Sequence, residues 1–192
     1  EDLGFHLASN SPDPSMHFFF FVVQDSTINA FAGPGGYVGI NSGLILFTQT
    51  EGELASVMAH EIAHVTQHHL IRSMKAAKTR TLGTLGAILG AIFIGNPNIA
   101  AGAAAGGVAG NAQMGINFTR SQEKEADRVG IDILAKSGFN PDNMAKMFKL
   151  MEARLFMSNK PQLEFLSTHP FYPTRISDAQ NQAQRYHRHY QI

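Results

Sequence analysis

At 192 residues the chain has the length of one domain with a substantial core, and 15 Lys+Arg against 15 Asp+Glu leave no net field to draw nucleic acid. With no cysteine, disulfides, thiolate metal sites and a cysteine nucleophile are excluded, so any metal must sit on His, Asp or Glu. The opening EDLGFHLASNSPDPSM has neither a positive segment nor a cleavage site of small residues, so no targeting signal is expected within it.

In chain order, the apolar, aromatic and β-branched run from Phe18 to Val23 predicts a buried strand. Gly33, Pro34, Gly35 and Gly36 then turn the chain into a second short strand from Tyr37 to Ile40. A helix is expected from Thr48, with Thr48 and Glu51 spaced as a capping box, running to about Lys78. Leu54, Met58, Ile62 and Val65 mark its core side, and Ala55, Ala59 and Ala63 permit close approach of a neighbour. Residues 82–115 are uncharged and rich in Gly and Ala. Asn96-Pro97-Asn98 cuts that stretch to an apolar piece of roughly 13 residues, short of the ~20 a bilayer span needs. A packed hairpin, or a flap resting on a membrane or on a partner, is expected there. Three further helices follow: Ser121 to Lys136, closed by Gly138; Asp142 to Phe156; and Thr174 to about Tyr186, after the turn THPFYPT.

Four of the nine histidines fall within ten residues of the first long helix, in the stretch MAHEIAHVTQHHL. His60-Glu61-Ile62-Ala63-His64 is H-E-x-x-H, and on a helix residues i and i+4 lie about 6 Å apart along the axis, so both imidazoles can converge on one ion. Glu61 lies about 100° around from His60, placed to reach a metal-bound water rather than to ligate. The competing reading, two core histidines bonded to backbone, leaves Glu61 as a buried charge without a partner. His68 is too far along the helix to share that ion, so it and His69 are expected at the surface or behind the ligands. Gln67 and Leu70 stand where a metzincin-type third ligand would require Gly and His. The third ligand is expected from Glu123 in SQEKEADRVG, with Asp127, one turn on, accepting the second ring N–H of a ligand histidine. Glu125 points to another face, as a solvent or ion-pair residue.

MAHEIAHVTQHHL, SQEKEADRVGIDILAKSGFNP, INAFAGPGGYVGINSGLI and STHPFYPTRI, in that company, resemble the BepA-like zinc metallopeptidases of peptidase family M48, gluzincin clan. The resemblance implies an α+β fold, mainly helical, with a small β-sheet beside the active-site helix, as one catalytic domain over 1–192 with its flap at 82–115. It implies one zinc ion on His60, His64 and Glu123, with Glu61 catalytic. It further implies periplasmic residence in a Gram-negative bacterium, and polypeptide substrates among misassembled outer-membrane proteins, with the assembly machinery as a partner for the flap. BepA-like members also carry a C-terminal tetratricopeptide-repeat domain, whereas this chain stops at QRYHRHYQI.

Zinc chemistry then predicts an endopeptidase in which Glu61 takes a proton from the attacking water and passes it to the leaving nitrogen. His169, Tyr172 and Arg175 are candidates to hold the developing oxyanion. His169, held by Pro170 on a stiff backbone, has a second possible role as a fourth ligand that keeps the site latent, and a third as a turn residue without zinc contact. An extended substrate is expected to add as a strand beside Gly36 to Asn41. The alternative function is a chaperone-like or scaffolding module with a largely structural zinc.

Overall fold

The computed structural model describes residues 1–76, 118–156 and 163–189. The stretch 82–115 lies outside them, so the expected hairpin or flap does too. The fold is α+β, with eight helices and one three-stranded sheet among the described residues. In chain order these are α1 (Asp2–Ser9), β1 (Phe19–Val23), β2 (Ala30–Gly33), β3 (Tyr37–Asn41), α2 (Ser42–Phe47), α3 (Glu51–Thr66), α4 (His69–Ala76), α5 (Arg120–Lys136), α6 (Asn143–Leu155), α7 (Phe165–Thr168) and α8 (Arg175–His189).

The sheet order is β1-β3-β2, with β1 parallel and β2 antiparallel to β3. Gly36 makes the entry to β3 possible. Its φ is +86°, and a Cβ there would meet the carbonyl oxygen of His17, while its own carbonyl accepts from the N–H of Phe19 at 2.9 Å. β3 is therefore the middle strand, paired on both sides. That corrects the expected strand addition beside Gly36–Asn41, because those backbone groups already serve β1 and β2.

α3 is the spine of the molecule, packed against α1, α5, α6 and β2. All of its residues but Glu51, Leu54 and Val65 are buried, which explains why no clean polar face shows in its sequence. Its start differs from expectation. The capping box is Thr50 with Glu53: Oγ1 of Thr50 accepts from the Glu53 N–H at 3.2 Å, and Glu53 Oε2 accepts from the Thr50 N–H at 3.3 Å. Thr48 is occupied elsewhere, closing α2 with a hydroxyl donated to the Ile45 carbonyl at 3.0 Å. The other end differs too. The helix stops at Thr66, because His68 adopts φ +53° and turns the chain before α4.

α5 packs against α3 more extensively than any other element does, and Gly130 lets it come close. A Cβ on Gly130 would sit 3.2 Å from the His60 nitrogen and 3.3 Å from the Ala59 carbonyl carbon. Glu123, Asp127 and Gly130 follow one another at i, i+4 and i+7, so the stripe that touches α3 also carries both carboxylates.

Candidate metal centre

Three helices and one turn supply the site. α3 brings His60, Glu61 and His64; α5 brings Glu123 and Asp127; His169 sits just after α7 and Arg175 opens α8. All seven side chains are buried. One ligand atom from each of His60, His64, Glu123 and His169 lies within 4.8 Å of the others. Nε2 of His60 is 2.9 Å from Nε2 of His64 and 3.2 Å from Nδ1 of His169. Oε1 of Glu123 is 3.2 Å from Nε2 of His64 and 3.0 Å from Nδ1 of His169.

These atoms suit a metal ion. Tetrahedral bonds of ~2.1 Å to zinc place ligand atoms about 3.4 Å apart, close to the spacings found here. Charge agrees: Glu61, Glu123 and Asp127 against Arg175 leave two buried negative charges when the carboxyls are ionised, which a divalent cation would offset. Both carboxylate oxygens of Glu61 also lack a hydrogen-bond partner, with Nε2 of His169 at 3.4 Å from Oε1.

The partners behind the ligands are specific. Nδ1 of His60 lies 2.8 Å from Oδ1 of Asp127, the arrangement that leaves Nε2 of His60 free for a metal. Arg175 holds the carboxylates from the far side. Its Nε and Nη2 each reach Asp127 at 2.9 Å, Nη2 also lies 2.8 Å from Oε2 of Glu123, and Nη1 donates to the carbonyls of His169 and Pro170. Four hydrogen bonds and the ion pair with Glu123 thus turn its guanidinium towards the carboxylates and the turn, an arrangement that its place in THPFYPTR did not predict. The Tyr172 hydroxyl likewise turns to Oδ2 of Asp127 at 3.4 Å. Arg72 and His69 form ion-pairing contacts with Glu125, the surface role read for that residue. His69 itself, fully buried against Nδ1 of His64, had no signal in the helical period, because it follows the break at His68.

Burial raises the pKa of Glu61 and pushes that of His64 well down, favouring a carboxyl that binds protons readily beside a neutral imidazole. Burial opposes ionisation of Glu123, but the imidazoles of His169 and His60 outweigh it and hold the carboxyl well below its ordinary range. Asp127 is lowered in the same manner, its burial outweighed by Arg175. For His60, burial is overcome by Glu123 and Asp127, and the ring is raised.

Beside the centre is an open cavity of about 270 Å³ bordered by Ala32, Gly33, Gly36, His64, His68 and Phe118. No described helix is long and apolar enough to cross a membrane.

Comparison with known proteins matches residues 3–183 to the Peptidase family M48 model. A relative in Vibrio cholerae is 45% identical over 188 residues, 97% of this chain and 39% of that protein. The beta-barrel assembly-enhancing protease of Escherichia coli (strain K12) is 42% identical over 186 residues, 94% of this chain and 37% of its own length. The mitochondrial metalloendopeptidase OMA1 of Schizosaccharomyces pombe is 30% identical over 155 residues, 81% of this chain and 43% of that protein. The chain spans less than half the length of each of these relatives. With a matching family model over nearly its whole length and a buried His-His-Glu-His group in that match, the chain belongs to peptidase family M48.

Proposed function

We propose that this chain is a single catalytic domain of a zinc-dependent endopeptidase, with the metal on His60, His64 and Glu123. The observation that carries the reading is the buried group of four ligand atoms with the unpartnered carboxylate of Glu61 beside it. The chemistry such an ion supplies is Lewis acidity, towards both an attacking water and a scissile carbonyl. Glu61, raised by burial, accepts the proton of that water at a carboxylate oxygen and returns it to the leaving nitrogen. Asp127 and Arg175 orient His60 and Glu123 and touch no substrate.

The substrate is an extended polypeptide. A strand can add only beside an outer strand, and β2 is the one packed against α3, with Ala32 and Gly33 bordering the same cavity as His64. The names of the Gram-negative relatives support a periplasmic role in outer-membrane protein assembly and quality control, with misassembled barrel proteins as substrates.

His169 makes the site latent in this reading. Nδ1 of His169 stands among the ligand atoms, where it completes a four-ligand set, and displacing its turn opens the metal to substrate. The deciding experiment is Glu61→Gln, assayed for bound zinc and for cleavage of an unfolded protein such as casein. Zinc is retained and cleavage is lost; cleavage at the unaltered rate would falsify the mechanism and favour a scaffold.

A further inference from the structure

We propose that His69 is a positioning residue for His64. Together with Glu125 and Arg72 it forms a hydrogen-bonded relay that holds His64 in the one neutral tautomer able to offer Nε2 to a metal. The proposal rests on the zinc reading above and concerns the layer behind the ligands.

Nδ1 of His64 faces Nδ1 of His69 at 2.9 Å, and Nε2 of His69 faces Oε2 of Glu125 at 3.0 Å. Nη1 of Arg72 donates to the same Oε2 at 3.0 Å. A hydrogen bond between two ring nitrogens needs one donor and one acceptor. An ionised carboxylate only accepts, so the proton of neutral His69 sits on Nε2 and its Nδ1 is bare. Nδ1 of His64 must then donate. The lone pair of His64 is thereby left on Nε2, the atom that faces His60 and Glu123.

The two histidines of α3 are thus held by parallel devices. For His60 the acceptor is a carboxylate, Asp127, fixed by Arg175. For His64 a whole imidazole is interposed before the carboxylate and its arginine. The backbone makes room for it. In an unbroken helix residue 69 would lie about 500° on from residue 64, or about 140° around the axis, facing away. The left-handed turn at His68 swings it back, and the amide of Gln122 on α5 donates to the carbonyl of His69 at 3.2 Å, pinning the start of α4. A core histidine with both nitrogens satisfied would look similar, so the test must read the tautomer as well as the fold.

Zinc ion alone is titrated into the metal-free chain against a competing chromophoric chelator, and the ring nitrogen shifts of His64 are recorded without metal. His69→Leu weakens zinc binding about 10–100-fold and removes the preference of His64 for a proton on Nδ1. His69→Gln, whose amide oxygen accepts from that N–H, recovers both, with the two variants unfolding at similar temperatures. If His69→Leu does not fold, Glu125→Ala replaces it: the His69 ring stays packed, and its loss of tautomer control appears as weaker zinc binding and a mixed His64 tautomer. Wild-type affinity and an unmixed tautomer in these variants overturn the relay, as does an equal loss in His69→Leu and His69→Gln. Failure of the zinc reading itself looks different, because wild type and His60→Ala would then bind zinc equally weakly.

Discussion

Arg175 and Asp127 form a bidentate pair inside the protein, the Nε and Nη2 nitrogens each 2.9 Å from a carboxylate oxygen, with the arginine fully buried. Removing the cation leaves Asp127 and Glu123 as uncompensated buried charges. Arg175→Met is therefore expected to cost the metal-free protein ~3–5 kcal/mol by denaturant unfolding. A loss below ~1 kcal/mol, the size of a surface pair, would show the carboxylates to be satisfied by other means.

Glu123→Gln removes a ligand charge, whereas Glu125→Gln only weakens a contact one layer further out. Elemental analysis should find zinc nearly absent from the first and largely retained by the second. Equal loss would mean that the anionic ligand is not Glu123.

His169→Ala tests latency by its sign. With Nδ1 of His169 taken from among the ligand atoms, casein cleavage should accelerate while zinc stays bound through His60, His64 and Glu123. Slower cleavage would assign His169 to oxyanion support, and an unchanged rate would leave it a turn residue.

His68 stands at φ +53°, where an L-residue is strained by ~1–2 kcal/mol. His68→Gly is expected to leave thermal stability unchanged or raise it slightly, and His68→Val to lower it by ~1–2 kcal/mol, since β-branching is worst tolerated there. Tolerance of valine would show that the turn relaxes without harm.

What the sequence made legible here was local. Both α3 and α5 could be found from the i, i+4 spacing of His60 with His64 and of Glu123 with Asp127, because helical period acts over neighbouring residues. The α+β class came with the resemblance of the four motifs to peptidase family M48, and the aromatic run before Val23 agreed with it. Non-local choices were hidden. Which strand lies in the middle depends on pairing between distant segments, so β3 was misread as a place for substrate. The capping box slipped by two residues because Thr48 and Thr50 each precede a glutamate by three, and only the unforeseen α2 decides between them. Nothing in a linear string reveals that the arginine of THPFYPTR turns its guanidinium towards the carboxylates and the turn.

Gly130 touches no ligand atom, yet it sets how near the backbone of α5 comes to that of α3 at Ala59 and His60. Glu123 and Asp127 ride on the same stripe of α5, so a side chain at 130 would move both carboxylates outward as one rigid piece. The width of the cage is therefore set by a missing methyl group two turns from Glu123. That absence works as a calliper: with α5 held this close to α3, Oε1 of Glu123 stands 3.2 Å from Nε2 of His64 and 3.0 Å from Nδ1 of His169, close to the spacing that bonds of ~2.1 Å to one ion require.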